Sequence, residues 1–269
     1  MGMYIIGELI NSTRKRVKKA IEGRDEAFIK DLALRQEKAG AGWIDVNAGA
    51  FAEDEVERLT WMIGVVRAVT QAPLSIDSPR PAAVEAGLAL AGSGAFLNSI
   101  SAEASRYKSL LPIIKKHSCN VVALSLDDGG MSDEADKVFA VADGLIKRLE
   151  DDGVPPEHIF SDPLIRPVST NTEYGNTALS VVERIASNHP LVHRICGLSN
   201  VSFGLPKRKL VNEVFMVMAI ARGMDSAIAD PLDERLMASI AAAELLAGKD
   251  QFCMNYIGAE RSGKLEGMG

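Results

Sequence analysis

Trp43-Ile44-Asp45-Val46-Asn47-Ala48-Gly49 opens the stretch that decides the fold, which runs on through residues 53–69 to Leu74-Ser75-Ile76-Asp77-Ser78. The first run is short, apolar in alternate positions and closed by small polar residues, as a buried strand entering a loop would be. Residues 53–69 then carry Val56, Leu59, Ile63 and Val66 at helical spacing. The second run repeats the first, with Asp77-Ser78 at its end. A strand, a helix of several turns and another strand make a unit in which the two strands pair in parallel through a right-handed crossover.

The same unit recurs along the chain. Strands are predicted at residues 3–7, 43–46, 74–76, 95–97, 121–124, 159–160, 194–196 and 226–229. Helices are predicted at 25–39, 53–69, 81–91, 103–117, 134–149, 177–186, 210–222 and 233–246. Eight strand–helix units in 269 residues match a (β/α)8 TIM barrel of about 250 residues better than an open doubly wound sheet. The joints agree: Gly40 and Gly42 close the first long helix, and Pro79 and Pro81 sit where a helix starts. No low-complexity segment or linker interrupts the pattern, so residues 1–269 read as a single domain, with residues 258–269 a Gly-rich, frayed tail.

Composition narrows the function classes. The formal net charge is −6 and 47% of residues are hydrophobic. That leaves no basic footprint for nucleic acid, and no apolar run is long enough to span a membrane. The segment Met1–Gly7 lacks the regions of a signal peptide, so a soluble, cytoplasmic protein is expected. The basic cluster at residues 14–19 reads as a solvated helix face. Cys119, Cys196 and Cys253 are too few and too far apart for a disulfide framework or a zinc site. Cys119 and Cys196 read as core residues.

In a parallel barrel the active site lies at the face where the strands end, so the sequence nominates its own site. The strand ends carry Glu8 and Asn11; Asp45, Asn47 and Gly49; Asp77; Asn98; Ser125, Asp127 and Asp128; Asp162; Ser199 and Asn200; and Asp230. Carboxylates and amides ring one mouth, with few basic residues among them. Two chemistries fit such a ring. Hard oxygen ligands could hold a divalent metal. Alternatively, a carboxylate could accept a paired N–H/NH2 edge while Asn side chains serve the rest of an uncharged ring. His117, His158, His189 and His193 fall at helix ends or before strands, at the opposite mouth, which weakens the metal reading. Some of these Asp residues, Asp127 and Asp230 above all, read equally as helix caps.

The segment Gly197-Leu198-Ser199-Asn200-Val201-Ser202 stands out among the loops. Short neutral donors and acceptors after a buried strand suit ring recognition better than acid or nucleophile chemistry, although Ser and Asn are also common turn formers. No GxSxG, P-loop, GxGxxG or strand-end lysine appears. The chemistry is therefore expected to reside in the substrates, with the protein supplying position and hydrogen bonds.

Taken in order, Gly7-Glu8-Leu9-Ile10-Asn11, Asp45-Val46-Asn47-Ala48-Gly49, Ile76-Asp77-Ser78, Leu97-Asn98-Ser99, Asp162-Pro163-Leu164 and residues 197–202 resemble the pterin-binding methyltransferases. The nearest group is the methyltetrahydrofolate:corrinoid protein methyltransferases, with the folate module of cobalamin-dependent methionine synthase more distant. The resemblance implies that Asp77, Asn98 and Asp162 hold the pterin ring of tetrahydrofolate or methyltetrahydrofolate, with Asp162 on the N3–H and 2-amino edge. It implies that Asn200 approaches N5 as the catalytic group, flanked by Ser199 and Ser202. Asn11, Asn47 and Gly49 lie on matching loops, and Arg208 matches an arginine near the folate or the partner. The acceptor or donor of the methyl group would be the cobalt of a corrinoid (cobalamin) on a separate corrinoid protein, because no lower-ligand DxHxxG motif occurs here. No metal bound by this chain is expected, and a homodimer is expected by analogy. A dihydropteroate synthase-like enzyme is a rival on the same fold, but the chain lacks that family's long first loop and the Lys-x-Arg of its last loop. A non-catalytic folate-binding subunit is the rival from another class.

Overall fold

The computed structural model describes residues 2–265. Its strands are β1 (Tyr4–Asn11), β2 (Trp43–Asn47), β3 (Leu74–Asp77), β4 (Phe96–Ser101), β5 (Asn120–Leu124), β6 (Ile159–Asp162), β7 (His193–Arg194) and β8 (Ser226–Ala229). They form one eight-stranded sheet in the order β7-β6-β5-β4-β3-β2-β1-β8, and every pair is parallel. A parallel bridge between Gly197 and Ile228, with Ile228 N–H donating to Cys196 O at 2.8 Å, joins β7 to β8. The sheet thereby curls into a TIM barrel. The helices alternate with the strands as α1 (Lys15–Glu22), α2 (Glu26–Lys38), α3 (Glu55–Arg67), α4 (Pro81–Ala91), α5 (Ala104–His117), α6 (Ala135–Asp151), α7 (Glu173–Asn188), α8 (Arg208–Ala221), α9 (Glu234–Leu246) and α10 (Met254–Arg261).

Alternation along each strand sorts the side chains. Outward residues such as Ile44, Val46, Leu74, Ile76 and Leu97 pack against the helices in the main core. Inward residues divide by height. The lower interior is apolar: Ile6, Phe96, Val122, Phe160 and Ile195 are buried together, with Tyr4 and Trp43 against them. Trp43 meets Phe96 edge-on at 5.4 Å, Phe96 meets Phe160 at 4.5 Å, and Phe160 stacks on His193 at 4.5 Å. This aromatic plug fills the end where the strands begin, so polar chemistry is left to the other mouth.

Four local expectations are corrected. Residues 15–19 of the basic cluster are helical, with Val17, Ala20 and Ile21 of α1 buried, but Arg14, just before the helix, is not simply solvated: its Nη2 lies 2.6 Å from Glu8 Oε1. Part of the expected frayed tail is helix α10, begun by Asp250, whose carboxylate accepts the N–H groups of Asn255 and Tyr256 at 2.9 Å. Residues 266–269 of that tail lie outside the described residues. Asp127 and Asp230 serve turns, accepting from Gly129 N and Leu232 N; α6 starts only after Glu134, and Asp233 already caps α9. The seventh strand is placed one residue earlier than the apolar run suggests, with His193 inside it. His117, His158 and His189 end a helix, precede β6 and cap α7, which leaves every histidine away from the polar mouth.

Candidate active site

Strand spacing brings the polar mouth together. Asp45 and Asn47 are two residues apart on β2 and so share its inner face; Asp77, at the end of β3, and Asn98, inside β4, stand in register with Asn47. Asn47 is the keystone of this half. Its Oδ1 accepts from Ser12 Oγ at 3.0 Å and from Gly49 N at 2.9 Å, while its Nδ2 donates to Asp77 Oδ2 at 2.8 Å. Asp45 Oδ1 accepts from Ser75 Oγ at 2.6 Å and from Asn98 Nδ2 at 3.3 Å. Gly49 thus acts by supporting Asn47. Asn11 lies on the rim, where its Oδ1 accepts from Thr13 N and Thr13 Oγ1.

The other half is built on β1, β6 and the turn after β7. Asp162 is buried at the end of β6, with Leu164 N donating to its Oδ1 at 2.7 Å. Ser199 Oγ donates to Glu8 Oε1 at 2.9 Å. Arg208, the first residue of α8, donates from Nε to Ser202 Oγ at 3.1 Å and from Nη2 to Ser199 O at 2.5 Å. Ser202 is fully buried, and the contact it makes is with Arg208. Asn200 is exposed on this turn, its amide lying over Gly197: a Cβ at 197 would stand 3.1 Å from Asn200 Nδ2.

The carboxyl groups carry the electrostatic signature of the site. Burial pushes Asp162 up to about 7, offset only in part by backbone N–H groups of Leu164 and Gly197. Burial raises Asp77 to about 6, against the Asn47 hydrogen bond and the Arg106 charge. Asp45 lies well above the usual carboxylate range because it is buried and faces Asp77. Glu8 is raised by burial, with Arg14 opposing. Titratable groups shifted this far in a concave mouth mark a functional site. Asp162 in particular is a buried acceptor with few donors of its own. A ring edge carrying N–H and NH2 groups supplies what it lacks, and neighbouring amides fit the rest of such a ring. Among the described residues, no group of three or more His, Cys, Asp or Glu side chains is arranged to hold a metal ion.

Arg14 and Arg106 join the mouth beyond the strand-end residues, Glu8 and Asp45 among them, singled out from sequence. The mouth is less poor in cations than the strand ends suggest, because the arginines come from helix starts. Arg106 on α5 donates to Ser99 O and Pro79 O, tying together the loops after β3 and β4. Arg14 reads in sequence only as part of a basic cluster on a solvated helix face, and Arg106 left no pattern in the chain.

Residues 7–230 match the family model described as "Pterin binding enzyme". The chain belongs to the pterin binding enzyme family. It is 38% identical over 265 residues, 98% of both chains, to a methylcorrinoid:tetrahydrofolate methyltransferase of Eubacterium limosum. It is 29% identical over 239 residues to the methionine synthase of Mycobacterium leprae, spanning 84% of this chain and 20% of that one. Among solved structures, it resembles dihydropteroate synthase from Xanthomonas albilineans in complex with 7,8-dihydropteroate. That likeness has a TM-score of 0.70 at 19% identity over 91% of this chain and 93% of the other, and is one of fold. With near full-length kinship to a methyltransferase, this member of the pterin binding enzymes is itself a methyltransferase.

Proposed function

We propose that the protein moves a methyl group between the cobalt of a corrinoid, carried by a separate protein, and N5 of tetrahydrofolate, with methylcorrinoid as the donor. Asp162 carries this reading: a buried carboxyl raised to about 7, at the mouth of a pterin-family barrel, is suited to the N3–H and 2-amino edge of a pterin. Asn98 and Asp77 serve the remaining ring heteroatoms, with Asp45 and Asn47 holding them in place. The direction follows the name of the near full-length relative.

In the transfer, the N5 lone pair forms the new N–CH3 bond while the cobalt–carbon bond breaks, both its electrons staying on cobalt as Co(I). N5 gives up its proton to water at the open mouth. Asn200 accepts from N5–H through its amide oxygen and, in reverse, supports the developing N–H through hydrogen bonding. A neutral amide follows this change of protonation without being an acid, which is preferential binding of the transition state. Ser199, Ser202 and Arg208 hold the turn on which Asn200 stands.

Residues 1–269 work as one barrel domain in the cytoplasm, with a corrinoid protein as partner and no role in nucleic-acid or membrane binding. A homodimer is part of this reading, through the exposed apolar face of α8 formed by Leu210, Val214 and Met218. Calorimetric titration with tetrahydrofolate tests the pocket. The wild type is expected to bind, and Asp162→Ala to weaken binding by about a hundredfold, the cost of leaving two ring donors unpaired. Equal binding by both proteins would remove the pterin from this mouth.

A further inference from the structure

We propose that Glu8 is a positioning residue for Asn200, holding the turn at residues 197–200 against strand β1. Its kinetic consequence rests on the methyltransferase reading; its structural basis does not.

Strand β1 is built to present this carboxylate. Its pairing with β2 shifts between Gly7 and Ile10: Gly7 stands opposite Ile44, and Ile10 opposite Val46. One extra residue on β1 makes a bulge, which re-aims a side chain. The bulge takes Leu9 N–H off the ladder, and Gln36 Oε1 on α2 accepts it at 2.9 Å. Gly7 is required for that approach, since a Cβ there would lie 2.5 Å from Gln36 Oε1. A conformation secured by a buried glutamine two elements away is a designed feature of the strand.

The bulge delivers Glu8 to the turn after β7, 191 positions away in sequence. Glu8 Oε1 receives both Arg14 Nη2 at 2.6 Å and Ser199 Oγ at 2.9 Å. Ser199 is adjacent to Asn200, and its carbonyl is held by Arg208. The rest of the turn leans on the loop after β6, through Val168 N to Val201 O at 3.0 Å and Ser169 Oγ to Phe203 O at 2.6 Å. Glu8 is therefore the tie from β1 to the residue beside Asn200. The Asn200 amide rests on Gly197, so its position is inherited from the turn. The charged groups facing Glu8 are Arg14, which favours its ionised form, and Asp230, which opposes it; Asp45 also senses its charge.

The test compares the wild type with Glu8→Ala, Ser199→Ala, the double variant and Glu8→Gln, by hydrogen exchange of the amides at residues 198–203 and by methyl transfer. Exchange in the turn is expected to rise about tenfold or more in both single variants, as local opening becomes easier. The double variant should be no worse than either single one, the mark of two groups acting through one contact. Transfer should slow by about ten- to a hundredfold, as misplacement of a reacting group costs, with tetrahydrofolate affinity kept within about threefold. Glu8→Gln, which retains an oxygen for Ser199, should recover part of both losses. Unchanged exchange in the turn, or additive effects of the two single variants, would overturn the proposal. A wild type that shows no transfer while Glu8→Ala still loosens the turn would sink the methyltransferase reading and leave the anchoring in place.

Discussion

Asp162 is a carboxyl that the fold buries at a cost in order to keep it available. Its ordinary value is 3.8 and in the folded chain it is raised to about 7. A raised folded value means that the folded state holds the proton more tightly than the unfolded chain. The associated stability is present in full below about pH 4 and is lost as pH rises through 7. Asp77, raised to about 6, acts in the same direction. Groups with lowered values, such as Asp133 and Asp143, stay ionised throughout this window and add no slope. The ligand-free protein is expected to lose stability from these two groups between pH 5 and pH 8. Asp162→Asn should flatten that fall and gain about 1 kcal/mol or more at pH 8, since a neutral amide carries no penalty for burial as an ion. Thermal melts of both proteins at the two pH values check this; parallel curves would mean that Asp162 ionises freely in the fold. The proposed pterin contact would have the opposite sign, because only the ionised carboxylate accepts from both ring donors.

At the scale of elements, α8 does two jobs. Its first turn brings Arg208 to the turn carrying Asn200, while its outer face leaves apolar side chains in water. Leu210, Val214, Val217 and Met218 are exposed, and Leu210, Val214 and Met218, with Val168, Leu179 and Val211, line a groove of 340 Å3 between α7 and α8. Contiguous apolar surface of this kind marks an interface, and the homodimer of the proposed function would place the same face of a second copy against it. On that proposal the wild type sediments as a dimer and Val214→Asp as a monomer with folate binding intact, read by sedimentation velocity; a wild type that sediments as a monomer at micromolar concentration would contradict it. The elements themselves were largely legible. Residues 43–78 gave strand, helix and strand because apolar spacing switches between the two periods, and Pro81 marked the start of α4. Helix α10 was not legible, since Gly258 and the polar residues around it look like a tail. It forms because Asp250 supplies two N-terminal acceptors. The bulge in β1 was hidden as well: its cause is Gln36, on another element.

Across the whole molecule, chemistry is sorted by height in the barrel. The aromatic plug closes one end, and the carboxyl and amide ring opens at the other, where the loops after every strand converge. That division explains why the site's parts were visible in sequence as strand-end residues. Asp77 and Asp162 end β3 and β6, whereas Asn98 lies inside β4, which runs on past the expected stop to Ser101, and Asn200 stands in the turn beyond β7. What could not be read was the wiring among them: Asn47 onto Asp77, Glu8 onto Ser199, and Arg106 across two loops. These contacts join positions far apart in the chain and depend on side-chain reach rather than on period.

Methyl transfer at Asn200 can be followed by tetrahydrofolate-dependent demethylation of methylcobalamin, read by the appearance of Co(I) in the visible spectrum. The wild type is expected to demethylate it, and Asn200→Ala to slow the reaction about a hundredfold, the scale of one lost transition-state hydrogen bond, while binding tetrahydrofolate within about threefold of the wild type. Equal losses of binding and rate in Asn200→Ala, or folate bound by the wild type with no Co(I) formed, would contradict it.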